Sequence, residues 1–170
     1  MNKDFKVLRE LANQYAEIAA LPIQREKIEL WKQHNALKRG RPLVMIDQLP
    51  WNELNKNDEL TLFCEEPFHR ALEWTMRSRL YKWRHFPVNM VIDPFIEIPR
   101  FVSNTMIGPE IDEDISMTDL TNGVVSHHYH DLLSEPENLR LIRHRKILVN
   151  PDGDSEKFAR AGHFRRYHPY

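Results

Sequence analysis

The sequence predicts an α/β protein in which N-terminal helices precede the first βα units of a parallel sheet. Three observations support this fold class. In three segments apolar residues recur every three or four positions, as they do along one face of a helix. Leu43–Ile46 is continuously apolar, as in strands covered on both faces, and Val88–Ile98 is rich in β-branched residues. Helical and strand-like segments alternate along the chain, which favours right-handed βαβ units.

Composition narrows the classes of protein that this sequence can represent. The 170 residues carry 24 basic and 25 acidic side chains, and a net charge of −1 argues against a nucleic-acid partner. A lone cysteine, Cys64, excludes an internal disulfide framework and a cysteine-rich zinc site. No apolar run approaches the roughly 20 residues of a membrane helix. We therefore expect a cytoplasmic protein without a membrane partner.

Two helices are predicted at the N-terminus, and together they form a helical extension over residues 1–40. The first covers Asp4–Ala20, with Asp4 as its N-cap. Pro22 begins the second helix, because proline is tolerated at a first helical position, and Gly40 closes it. The apolar stripe of the first helix consists of Phe5, Leu8, Leu11, Tyr15 and Ile18.

Residues 41–150 are predicted to form the βα units. Leu43–Ile46 is the first strand, and an amphipathic helix over Phe68–His85 follows a polar connection. Val88–Ile98 is rich in β-branched residues and predicts a second strand, and Val124–His130 predicts a third. Ser134 resembles the start of a capping box for a short helix. Residues 151–170 are interpreted as an irregular basic and aromatic tail.

Five segments of the sequence carry a resemblance to a known family, and they are Leu8–Lys27, Arg41–Trp51, Leu80–Trp83, Asn89–Pro99 and Gly123–Asp131. Together they resemble the N-terminal part of the uroporphyrinogen decarboxylase superfamily. The resemblance is strongest to its divergent bacterial members, which are related to the corrinoid-dependent methyltransferases. It covers roughly residues 5 to 145.

The resemblance implies a (β/α)8 barrel with an N-terminal helical extension, and a cleft at the C-terminal ends of the strands. A full barrel takes about 250 residues, so this chain can supply only its first units. The implied function is that of a truncated relative without independent decarboxylase activity, where the family chemistry is decarboxylation or methyl transfer. Whether the chain is itself an enzyme stays open.

The resemblance also implies the candidate catalytic residues, Asp47 and Glu97. Asp47 occupies the position of the family's propionate-binding arginine, so the chain should not hold a polyanionic porphyrinogen. Glu97 is the nearest match to the family's pyrrole-binding aspartate, and Asp93 is an alternative. Both candidates have a structural alternative, in which Asp47 caps a turn and Glu97 pairs with Arg100. Gln48, Trp51 and Asp93 are the candidate substrate-binding residues.

His128 and His130 form the candidate metal site. Alternate residues of a strand share one face, so two imidazoles would point the same way near Asp131. This pair could hold a divalent metal, the only cofactor that the sequence suggests. The alternative is a polar strand end whose histidines bond to backbone carbonyls.

Three functions follow from these observations. The first is an enzyme-family fragment, and the second is a small-molecule or metal-binding module that uses Asp47, Glu97 and the histidine strand. The third is a non-catalytic assembly subunit. An incomplete barrel leaves strand edges unpaired, so we expect a homodimer that forms through the open sheet edge.

Overall fold

A computed structural model of the chain describes residues 3–55, 57–86, 88–118 and 125–165, the last four of these for their backbone only. The chain divides into two compact units. Unit 1 spans Met1–Glu97 and unit 2 spans Ile98–Tyr170, and each is described by itself. In the described ranges no helix has the length and apolar character needed to cross a membrane.

Unit 1 is helical. Its helices are α1 (Lys3–Ala19), α2 (Pro22–Asn35), the single turn α3 (Trp51–Leu54) and α4 (Pro67–His85). The predictions of α1 and α4 are confirmed to within one residue at each end, and the start of α2 at Pro22 is confirmed, because all three helices carry a helical repeat of apolar residues.

The core of unit 1 lies between α1 and α4. Proline begins α2 and α4, as expected for a first helical position, and Glu66 caps α4 by accepting the N–H of His69 at 2.8 Å. The buried apolar side chains are Leu8, Leu11, Tyr15, Leu60, Cys64, Met76, Leu80 and Ile92.

The C-terminus of α2 differs from the expected stop at Gly40. The N–H of Leu37 donates to the carbonyl of His34 at 2.9 Å, and the N–H of Lys38 donates to that of Gln33 at 3.0 Å. This pair of bonds is a Schellman motif, which requires a left-handed residue at the position that Leu37 occupies. Leu37 has φ 55°, so its backbone adopts the left-handed conformation, which is strained for a residue other than glycine. Its side chain is 93% exposed.

Unit 2 contains two separate two-stranded antiparallel sheets. Strand β1 (Val102–Asn104) pairs with β4 (Ile147–Val149), and β2 (Glu113–Met117) pairs with β3 (Val125–Tyr129). A 3-10 helix (Pro136–Leu141) precedes β4, and α5 (Pro151–Arg165) follows it. The predicted strand at Val124–His130 corresponds to β3, but it lies in an antiparallel hairpin.

The predicted fold class, an α/β chain that starts a TIM barrel, is therefore wrong. The described residues form helices and two small antiparallel sheets, without βα repeats or a parallel sheet. The two runs that predicted parallel strands, Leu43–Ile46 and Val88–Ile92, lie outside any sheet and have no regular secondary structure, and the second begins with a bend at Val88 and Asn89.

Side chains from α2 and a single asparagine take the place of a strand ladder at these runs. Asn89 accepts the N–H of Val44 through its side chain at 3.0 Å, and its own N–H donates to the carbonyl of Val44. Gln24 accepts the N–H of Ile92 at 2.9 Å, and the indole of Trp31 donates to the carbonyl of Asn89 at 2.7 Å. A buried backbone N–H or C=O group can be satisfied by a side chain as well as by another backbone group. An apolar run therefore does not need to pair in a sheet.

The C-terminal segment that was interpreted as an irregular tail is helical over residues 151–165. Asn150 begins this helix, because its side chain accepts the N–H of Gly153 at 3.0 Å. Asp154 accepts the N–H of Phe101 at 2.7 Å, which ties the first turn to the segment before β1. The boundary between the compact units follows Glu97, whereas the predicted divisions lay at residues 40 and 150.

Candidate functional site

The most concentrated group of titratable side chains lies in the core of unit 1. Glu73 is fully buried on α4, and its carboxylate accepts the N–H of Phe63 at 2.9 Å and that of Cys64 at 2.8 Å. Arg77, one turn along the helix, donates its Nε to the same carboxylate at 2.8 Å. The buried charge is thus paired and hydrogen-bonded, as a buried carboxylate must be.

A second buried carboxylate continues this arrangement from α1. Asp4 accepts the N–H of Glu65 at 3.2 Å and that of Glu66 at 3.1 Å. The Nδ1 of His69 lies 3.1 Å from the Asp4 carboxylate. Asp4 was predicted to cap its own helix, but it anchors the segment that leads into α4.

These contacts set the ionisation of both carboxyl groups. Burial by itself would raise the pKa of Asp4, but the hydrogen bonds from Glu66, His69 and Glu65 outweigh it and lower the pKa. The pKa of Glu73 is lowered in the same way, since the N–H groups of Cys64 and Phe63 and the Arg77 guanidinium outweigh burial. Both groups are therefore held as anions with their acceptor positions occupied, which suits a structural role.

The thiol of Cys64 lies beside this network. Burial, followed by its contacts with the Glu73 carboxylate, raises the pKa of Cys64 to about 12. The thiolate is the nucleophilic form of cysteine, so the native structure suppresses this reactivity. Among the described residues of this cluster, Cys64 is therefore not an activated nucleophile.

Lys27 on α2 is a further buried cation in unit 1. It is 8% exposed, and its Nζ lies 4.4 Å from the centre of the Trp83 ring on α4. Burial lowers the pKa of Lys27. The contact is a cation–π interaction that joins α2 to α4.

Two of the predicted site residues, Asp47 and Trp51, contact Lys82. The Asp47 carboxylate is 3.0 Å from the Lys82 ammonium, which also contacts the Asp47 carbonyl at 3.0 Å. The same ammonium is 5.7 Å from the centre of the Trp51 ring, which packs edge-on against Trp74. Gln48 is exposed nearby in sequence. Asp47 and Trp51 are thus brought together, by contacts that fasten the segment before α3 to α4.

The other two predicted residues do not join this group through any described contact. Asp93 is half-buried and Glu97 is exposed. Within the described ranges, no hydrogen bond or ion pair links either of them to Asp47. The expected pair of carboxylates depended on parallel strand ends, which the described residues do not form.

The histidines of the predicted metal site lie on the β2–β3 hairpin. His128 and His130 share one face, with their ring centres 5.5 Å apart. His130 contacts Asp114 at 2.9 Å and Asp112 at 3.7 Å. Among the described residues no group of three metal-binding side chains is positioned around a common point.

The register of the hairpin separates two unlike faces. Asp114, Ser116, Ser126 and His128 lie on one face, which is polar. On the other face His127 contacts Glu113 at 2.9 Å and stacks on Tyr129. The remaining residues of this face are Ile115, Met117 and Val125. This apolar face is open to solvent, with Ile115 57% and Tyr129 61% exposed.

The β1–β4 sheet has a similar exposed apolar face. Val102 lies opposite Val149, and Ile147 lies opposite Asn104 on the same side. Ile147 is 68% exposed. No residue of unit 2 whose exposure is described, in 98–118 and 125–161, is buried. Unit 2 therefore combines regular secondary structure with no described core, and its two apolar sheet faces are the candidate functional surface.

Two of these features, the buried ion pair and the apolar face of the hairpin, have a signal in the sequence. Glu73 lies three and seven residues before Met76 and Leu80, and so falls on the buried face with Arg77 one turn away. A charged pair at that spacing is a signal for a buried ion pair. The apolar face of the hairpin follows an alternation in Glu113–Met117 that the prediction did not use.

Comparison with known proteins adds no assignment, since no family model, curated protein or solved structure matches the chain. The resemblance to the uroporphyrinogen decarboxylase superfamily therefore stays a prediction.

Proposed function

We propose that the chain is a non-catalytic assembly subunit, in which unit 1 is a stable scaffold and unit 2 completes its folding against a protein partner. One observation carries this proposal. Unit 1 has a buried core, whereas no described residue of unit 2 is buried. Exposed apolar faces of regular secondary structure are typical of interaction surfaces.

The energetics of unit 2 support the need for a partner. Ordering a residue costs about 1–2 kcal/mol of backbone entropy, and burial of apolar surface is the main term that offsets it. Two-stranded sheets are marginally stable alone, and those of unit 2 have three and five residues per strand. Covering their apolar faces would supply the missing burial.

The arrangement in unit 1 also favours a structural function over catalysis. The Asp4 and Glu73 carboxylates are occupied by backbone N–H groups and by His69 and Arg77. We do not extend decarboxylation or methyl transfer to the chain, because that chemistry depends on barrel strand ends that the described residues do not form.

Hydrogen exchange of the full chain at high dilution tests the proposal. We expect strong protection of amides in α1 and α4 and weak protection in β1 to β4, because only unit 1 has a core. The matched internal comparison is between α4 and the β2–β3 hairpin in the same sample. If the hairpin amides in dilute monomer are protected as strongly as those of α4, unit 2 is stable alone and the proposal is wrong.

A further inference from the structure

Unit 2 divides by charge along the sequence. Residues 109–137 contain eight acidic side chains and no Lys or Arg, a formal charge of −8. Residues 139–165 contain seven basic and three acidic side chains, a formal charge of +4. The acidic segment includes the β2–β3 hairpin, and the basic segment includes β4. Each exposed apolar face is thus associated with charge of one sign.

The two segments do not neutralise each other within the chain. Among the described residues, the side chains of Arg143, Arg145 and Lys146 make no hydrogen bond or ion pair, and all three residues are exposed. The same holds for the exposed acidic side chains of Glu110 and Glu137. The ion pairs among the described residues of unit 2 join His127 and His130 to neighbouring carboxylates and Arg160 to Glu156. The segments that contain the β2–β3 hairpin and β4 therefore carry exposed side chains of opposite charge that are available to a partner.

We propose that this partner is a second copy of the chain. The acidic hairpin of one copy packs against the basic β1–β4 sheet of the other, and a two-fold axis repeats the contact. This inference rests on the proposed function and identifies its partner. Each copy carries both surfaces in its unit 2. A two-fold dimer therefore covers the two apolar faces of each copy. The net charge of −1 leaves little overall repulsion between copies.

Charge reversal gives a test that distinguishes this interface from other modes of association. One full-length variant carries Glu110→Lys and Glu137→Lys, which changes the formal charge of its acidic segment from −8 to −4. The other carries Arg143→Glu and Arg145→Glu, which changes the formal charge of its basic segment from +4 to 0. Each variant alone should therefore associate with its own copy more weakly than the unchanged chain does.

Sedimentation velocity across a dilution series provides the measurement. For the unchanged chain we expect conversion from 20.4 kDa to twice that mass with rising concentration. Each variant alone should dimerise about tenfold more weakly or worse, because the attraction at both contacts is reduced. All four tryptophans lie in unit 1, so unchanged fluorescence spectra show that the scaffold of each variant is folded.

The other outcomes separate this inference from the proposed function. A chain that stays monomeric at every concentration, with weakly protected hairpin amides, overturns the second copy as partner and leaves the proposed function standing. A monomer with a strongly protected hairpin overturns both. A dimer that neither charge reversal weakens shows that the copies meet elsewhere, and it also overturns the inference.

Discussion

Asp4 and Glu73, from two different helices, divide four successive backbone N–H groups between them. Glu73 accepts those of Phe63 and Cys64, and Asp4 accepts those of Glu65 and Glu66. The extended segment before α4 is thereby held from both sides without a neighbouring strand. The sites of these two carboxylates lead to the first two predictions.

Replacing Glu73 by glutamine should destabilise unit 1 by about 2–4 kcal/mol, because the Arg77 guanidinium loses its buried anionic partner. The amide keeps the size of the side chain but cannot accept both N–H groups with a full charge. Urea unfolding followed by tryptophan fluorescence measures the effect. Glu65→Gln is the matched control, since its side chain is 82% exposed, and it should change stability by less than about 1 kcal/mol.

Unit 1 should lose stability in acid. The folded-state pKa values of Asp4 and Glu73 are lowered below their ordinary values of 3.8 and 4.5. Their contribution is therefore complete above about pH 4.5 and is lost as the pH falls toward the folded-state values. Thermal unfolding between neutral pH and pH 2 measures this loss. The acid-induced decrease should become shallower in Asp4→Asn, and an unchanged profile would contradict the assignment.

Gln24→Met should destabilise unit 1 by about 1–3 kcal/mol, since the thioether fills the space but leaves buried backbone groups unpaired. Gln24 donates to the carbonyl of Ile18 at 3.2 Å and accepts the N–H of Ile92. Gln33→Met on the exposed side of α2 is the matched control and should be close to neutral. Equal effects of the two substitutions in urea unfolding would show that Gln24 does not anchor the Ile92 segment.

Leu37→Gly should stabilise unit 1 by roughly 0.5–1 kcal/mol, because glycine adopts the left-handed conformation without strain and this outweighs its extra freedom in the unfolded chain. No contact is lost, since the leucine is 93% exposed. Lys38→Gly at the next position serves as control and should be neutral or destabilising. Stabilisation by the control and not by Leu37→Gly would contradict the Schellman assignment.

Zinc binding at the hairpin should be weak and sub-stoichiometric. His130 is already engaged by Asp114 and Asp112, and His128 supplies the only other imidazole on that face. Zinc titration with calorimetry tests this expectation, and His128→Ala combined with His130→Ala should abolish whatever binding is found. A tight 1:1 site that survives the double substitution would exclude these histidines as ligands.

The helices of unit 1 could be predicted from the sequence because their apolar repeat is local. The errors came from the runs at Leu43–Ile46 and Val88–Ile92, whose composition is equally suited to a buried strand or to an extended segment. The choice between them depends on hydrogen bonds between residues that are distant in sequence. Asn89 of the second run bonds to Val44 of the first, and Gln24 bonds to Ile92 of the second. These bonds replace those of a strand ladder.

The candidate site was less predictable than the fold of unit 1. Asp47 and Trp51 do share a neighbour, Lys82, but their role as catalytic and substrate-binding groups assumed a barrel. Local pattern identified β3 and placed His128 and His130 on one face, because strand alternation is independent of the partner strand. None of the described side chains of unit 2 is buried. Burial depends on tertiary packing, so it could not be predicted from the local sequence pattern.

The burial of Cys64 has a practical consequence for spectroscopy. Its pKa of about 12 leaves almost no thiolate at neutral pH, so alkylating reagents should bypass it in the folded protein. A cysteine introduced at exposed Ser126 would then be the single reactive thiol of the chain. A fluorophore or spin label can therefore be attached to the hairpin at one site while the native cysteine remains in place.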